Sequence, residues 1–144
     1  MMMLSSLLMQ IKMKGALVFP PVALSSAQAV SIMLVKANHP RVPRGYLMFL
    51  EQSDGLQYDG LEFFSCAAHD RAGTVFEQPT LEAYQTKYAD NPFFAHRLVL
   101  GRTMESLVCY HAQNKYYELI HRDGLQVILK FPRFMDVFYY LIKE

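Results

Sequence analysis

Apolar residues recur along this chain at two periods, and the change from one to the other falls between residues 43 and 64. Tyr46, Leu47 and Leu50 recur at helical spacing behind Pro43, whose ring presets the backbone for a first helical turn. Asp54 and Gly55 are residue types that end a helix. From Leu56 the period is two. Residues 56–58 and 61–63 flank Asp59-Gly60, the pair that best tolerates the two positive φ angles of a tight primed turn, so a β-hairpin is predicted.

On the N-terminal side, Leu4, Leu7, Leu8 and Ile11 form the apolar stripe of an amphipathic helix over residues 2–13, closed by Gly15. It is expected to lie over the core, its methionines filling gaps. Pro20-Pro21 forces an extended connection. Ser25 and Gln28 then have the spacing of a capping box for a second helix, with Val30, Met33, Leu34 and Ala37 as its buried face. Asn38-His39-Pro40 stops that helix, because a residue before proline is pushed out of the helical region. His39 is expected as a loop or helix-end residue, not a ligand.

After the hairpin, residues 67–79 follow no period and carry His69, Asp70, Arg71 and Gly73, which predicts a mobile surface loop. Thr80 is placed to cap a short helix through Leu81, Tyr84 and Tyr88, ending at Asn91-Pro92. Four strand-like segments follow, at residues 98–100, 107–110, 116–120 and 125–129, with turn residues between them. Connections this short admit only hairpins, so the segments form an antiparallel meander. Phe134, Val137, Phe138, Leu141 and Ile142 then mark a last helix whose wide apolar face must lie on the sheet. The predicted fold class is therefore α+β, an antiparallel sheet made of the hairpin and the C-terminal meander, packed with N-terminal helices and a closing C-terminal helix. Neither a doubly wound nucleotide fold nor a barrel of alternating units fits.

The chain has 144 residues, the size of a single domain, and 52% of them are apolar, enough for a core without metal or disulfide support. A formal charge of +1 with no run of Lys or Arg gives no attraction to a polyanion, so nucleic acid is not an expected partner. No uninterrupted apolar run reaches the length of a membrane span. Lys12 and Lys14, the apolar residues 15–24 and the small residues after them have the layout of a secretory leader, but Pro20-Pro21 interrupts it. A cytoplasmic protein with two reduced, buried thiols, Cys66 and Cys109, is expected.

The order of parts resembles the SUKH superfamily, which contains cell-wall-assembly-regulator proteins and many bacterial immunity proteins. The resemblance is carried by the proline-led helix ending in Phe49-Leu-Glu-Gln-Ser-Asp-Gly55, the short hairpin over residues 56–63, Leu100-Gly101, residues 108–110, Asn114-Lys-Tyr-Tyr-Glu118 and the Phe-led closing helix over residues 131–142. It spans nearly the whole chain from Leu4. The resemblance implies a non-enzymatic domain that binds another protein, most often a cognate toxin whose active site it blocks. The superfamily's eukaryotic branch implies a regulatory scaffold instead.

Side-chain chemistry offers one competing class. Cys66-x-x-His69 and Cys109-x-His111 bring together four soft ligand types that zinc accepts, but a one-residue gap on a strand leaves little turn to wrap a metal. Core thiols and exposed histidines are expected, with no metal and no cofactor. A cysteine nucleophile would need an activated thiolate in a partly exposed, electropositive place, whereas Cys109 lies between Val108 and Tyr110 in a strand. No phosphate loop, nucleophile elbow or metalloprotease pair occurs. Asp54 and Asp59 flank turns, where aspartate bonds to the local backbone. Nine tyrosines in so small a domain suit an interface, although half or more belong to the core. The expected partner-binding residues are Asp54, Tyr58, Asp59 and Glu62, around the hairpin, the following loop and the meander edge. The function read from this is a bacterial immunity protein that neutralises a toxin by binding it. The alternatives are a regulatory or scaffold protein of the same superfamily and, less in keeping with the residues, a small Cys/His metal protein or enzyme.

Overall fold

A computed structural model describes residues 3–69 and 78–143. Most of the loop expected over residues 67–79 therefore lies outside the described residues. Among the described residues the chain forms five α-helices and seven strands. In order these are α1 (Leu4–Met13), β1 (Leu17–Val18), α2 (Leu24–Lys36), α3 (Arg44–Leu50), β2 (Leu56–Tyr58), β3 (Leu61–Phe63), α4 (Leu81–Tyr88), a 3-10 turn (Pro92–Phe94), β4 (Arg97–Arg102), β5 (Ser106–His111), β6 (Tyr116–His121), β7 (Val127–Phe131) and α5 (Phe134–Lys143).

The strands make one sheet in chain order, β1 to β7, and each neighbouring pair is antiparallel. An isolated bridge of parallel sense, Ser65 to Thr80, lies outside the named strands. The α+β class is as the sequence predicts. The hairpin forms where expected, with Tyr58 opposite Leu61 and with φ of +50° at Asp59 and +84° at Gly60, the two positive angles a primed turn requires. Between β6 and β7, Gly124 and Leu125 both take positive φ (+85° and +54°), so the last strand starts at Val127 and not at Leu125. Thr80 caps α4 by accepting the Ala83 N–H at 3.2 Å.

Extended neighbours point to opposite faces of a sheet, and Phe63 and Phe64 show how both faces are covered. Phe63 joins Tyr46 and Phe49 of α3 and Phe134 and Phe138 of α5 in a cluster of rings whose contacting centroids lie 5.2–6.2 Å apart. Phe64 stacks on Tyr84 of α4 with centroids 3.9 Å apart. The Tyr46 hydroxyl is buried in the first layer and donates to the Phe64 and Leu100 carbonyls at 2.5 and 3.2 Å, which ties α3 to the middle of the sheet. Burial holds that phenol well above its ordinary pKa, with Cys66 and Asp54 adding to the effect.

β3 and β4 approach so closely that a Cβ at Gly101 would sit 2.5 Å from the Glu62 carbonyl oxygen and 2.7 Å from Phe63 Cδ1. Glycine is required there by space, next to the bulge between Val99 and Gly101.

Three findings differ from what the sequence predicts. Within residues 15–24, Leu17 and Val18 form β1, a strand that periodicity does not predict, paired with Gln57 and Leu56. The capping box does not form. α2 begins at Leu24 behind Ala23, which makes no side-chain cap, so Ser25 is already inside the helix. The buried face of α2 is Ala27, Ser31 and Leu34, while Met33 is 40% exposed and Val30 half-buried. The cause is a polar anchor that periodicity does not register: the Ser31 hydroxyl accepts the Val42 N–H at 2.9 Å and turns that side of the helix inward.

Candidate functional site

The four residues expected to meet a partner are divided by the fold. Asp54 is 2% exposed, and its partners are distant in sequence, not the local backbone. Oδ1 accepts the Cys66 N–H at 2.7 Å, and Oδ2 accepts the Ala67 N–H at 3.2 Å and lies 2.8 Å from His69 Nε2. The His69 ring in turn stacks on Phe19, with centroids 4.8 Å apart. Asp54 is thus a clamp that fastens the chain after β3 to the α3–β2 connection. Glu62 is 5% exposed and sits opposite Arg102 on β4, with Oε1 2.6 Å from Arg102 Nε. Both carboxylates are buried and engaged within the chain, in contrast to the exposed position expected of them. Tyr58 is half-buried and Asp59 exposed, and these two remain available.

The cysteines and histidines do not converge either. Among the described residues no three His, Cys, Asp or Glu side chains gather as a metal would require. Cys109 lies mid-sheet between Val99 and Glu118. His111 is buried and spends Nδ1 on the Asn114 N–H at 3.2 Å, stabilising the β5–β6 turn. Burial, and secondarily the Asp54 charge, pushes the Cys66 thiol up to about 12. Burial likewise drives Cys109 upward, with Glu118 adding and Arg97 opposing. A thiolate is the reactive and ligating form, so both sulfurs are held in the inert one. Cys66 is only half-buried, in contrast to the expectation of two buried thiols.

A further carboxylate is also spent internally. Glu118 is fully buried and receives Arg97 through two contacts, Nε to Oε1 at 2.7 Å and Nη2 to Oε2 at 3.3 Å. Arg97 also donates to the Phe93 carbonyl at 2.8 Å and lies 4.0 Å from the Phe93 ring centroid.

What the structure does assemble is one end of the sheet. Strands that run up and down in chain order bring the β2–β3, β4–β5 and β6–β7 turns out on the same end. Each turn exposes one carboxylate: Asp59, Glu105 and Asp123. Met104 stands between them, 85% exposed. Two shallow depressions share Met104 and Glu105, one of about 350 Å³ bounded by Tyr58, Asp59 and Leu141, the other of about 440 Å³ bounded by His121 and Asp123. Arg122 lies here too, but Nη1 donates to the Thr103 and Met104 carbonyls at 3.1 and 3.4 Å, and its backbone N–H donates to Glu105 O at 2.8 Å. It fastens two turns together, so the surface is held in a fixed shape. Sequence reading missed Met104, Glu105 and Asp123, although the meander itself carried the signal, since alternate turns of a meander share an end. The result is a rigid surface, acidic and tipped by a methionine, suited to shape and charge recognition. No family model matches the chain, and a search of curated proteins finds no match.

Proposed function

We propose that this chain is a non-enzymatic protein-binding domain, an immunity protein of the SUKH type that neutralises a cognate toxin by covering it with the turn end of its sheet. The observation that carries this reading is the grouping of Asp59, Glu105 and Asp123 around the exposed Met104 and the half-buried Tyr58. A soft, adaptable apolar tip ringed by charge is a common anatomy for a recognition surface. Its sign complements a cationic patch on the partner and favours fast, salt-sensitive encounter. The inward commitment of Asp54, Glu62, Glu118 and both thiols is in keeping with function by docking.

The test is co-expression with the product of the neighbouring reading frame. Wild type is expected to form a complex with that product and to restore growth of cells producing it. The variant Asp59→Lys/Glu105→Lys/Asp123→Lys is expected to lose both while melting as wild type does. Absence of a complex and of protection overturns the proposal, and full protection by the variant moves the site elsewhere.

A further inference from the structure

At the opposite end of the sheet, where the β5–β6 turn emerges, a groove of about 820 Å³ runs between α2, the α2–α3 connection and that turn. Its rim carries Arg41, Arg44 and Lys115, all exposed. No acidic residue lines it, and among the described residues no hydrogen bond or ion pair engages any of the three cationic heads. The apolar part of the lining is Ile32, 58% exposed, with Leu47 and Tyr110 half-buried, beside the polar Gln28 and Ser31. The segment bearing the arginines is fixed to α2 by the Ser31–Val42 hydrogen bond, so the charges are presented on a firm frame.

We infer that this groove is a second docking site, for a short acidic amphipathic segment of a protein partner. Three unpaired cations around Ile32, Leu47 and Tyr110 complement a segment with carboxylates along its edges and aliphatic side chains beneath, the helix-in-groove mode of recognition. A polyphosphate backbone fits less well, because it has nothing to place on Ile32 and Leu47, and because a long polyanion would meet the carboxylates at the other end of the molecule. The inference goes beyond the toxin-binding reading and does not rest on it, since the two surfaces lie at opposite ends of the sheet.

The experiment titrates the full chain into a fluorescently labelled peptide of Leu and Glu at helical spacing, about sixteen residues long so that a helix is marginally accessible. A peptide of the same composition in scrambled order, an oligothymidine and inorganic phosphate serve as comparisons. The amphipathic peptide is expected to bind, more weakly as salt rises, with backbone amide shifts confined to α2, the α2–α3 connection and the β5–β6 turn. Arg41→Glu/Arg44→Glu is expected to weaken binding roughly tenfold or more, because attractive charges become repulsive ones at the rim. Ile32→Asp and Lys115→Glu, each checked by circular dichroism, are expected to weaken it separately. Failure of the wild-type chain to bind, equal binding of the scrambled peptide, unchanged affinity in every folded variant, or displacement of the peptide by oligothymidine or phosphate overturns the inference.

Discussion

Replacing Asp54 by alanine separates a structural role for this carboxylate from a docking role. Its two oxygens accept the Cys66 and Ala67 N–H groups at 2.7 and 3.2 Å and meet His69 at 2.8 Å, all in a place where Asp54 is 2% exposed. A hydrogen bond to a charged group contributes about 1.5–3 kcal/mol, and a buried donor left unmatched costs a comparable amount. Two backbone donors lose their acceptor, and the space left by the smaller side chain admits some water. A loss of about 3–5 kcal/mol follows, a large part of the roughly 5–15 kcal/mol that holds a domain folded. With a urea slope of about 2 kcal/mol per molar, the unfolding midpoint should fall by roughly 1.5–2.5 M at unchanged slope. Asp54→Asn keeps one acceptor oxygen and gives up the charge, so it should cost less, about 1–2 kcal/mol. The measurement is urea unfolding followed by far-ultraviolet circular dichroism. A midpoint shift below about 0.3 M for the alanine variant would refute the clamp. So would a partner-binding defect in a protein of unaltered stability.

Glu118→Gln strands Arg97, whose two contacts to that carboxylate lie at 2.7 and 3.3 Å, and should destabilise by about 3–5 kcal/mol in the same assay; a cost below 1 kcal/mol would show the pair to be solvated. Gly101→Ala places its methyl 2.5 Å from the Glu62 carbonyl oxygen and should cost about 1–3 kcal/mol or more, whereas neutrality would mean that β3 and β4 separate freely. Stability should also fall on the alkaline side. The folded chain keeps the Cys66 proton up to about pH 12, while the unfolded chain releases it near the ordinary thiol value of 9.0, so the unfolded state is favoured as pH rises between those values. Cys109, Tyr46 and Tyr117, all raised chiefly by burial, act in the same sense. The urea midpoint under reducing conditions should therefore be lower at about pH 10.5 than at about pH 8, and Cys66→Ala should flatten the decline; a midpoint constant over that interval would refute the assignment.

The hairpin at Asp59-Gly60, the meander and the closing helix were written in the sequence because each is set by local terms: turn chemistry, strand spacing and the 3.6-residue stripe from Phe134 to Ile142. The residues that looked best for docking were harder to place. Asp54 and Glu62 are hydrophilic and lie beside turns, and nothing local reveals that Cys66, Ala67 and His69, or Arg102 on a strand forty positions away, will draw their carboxylates inward. The same limit hid the true buried face of α2, which follows a serine that bonds to Val42, and hid β1, whose two residues gain their pairing from β2.

By itself, then, the sequence determined the helices, the hairpin and the antiparallel sense of the C-terminal meander, since these depend on period and on connections too short for anything but hairpins. Only the tertiary structure decided which charges are spent inside and which are left outside. Burial makes an unpaired carboxylate or guanidinium costly, so Asp54, Glu62 and Glu118 were each placed by a distant partner, while Asp59, Glu105 and Asp123 at one end of the sheet and Arg41, Arg44 and Lys115 at the other were left outside.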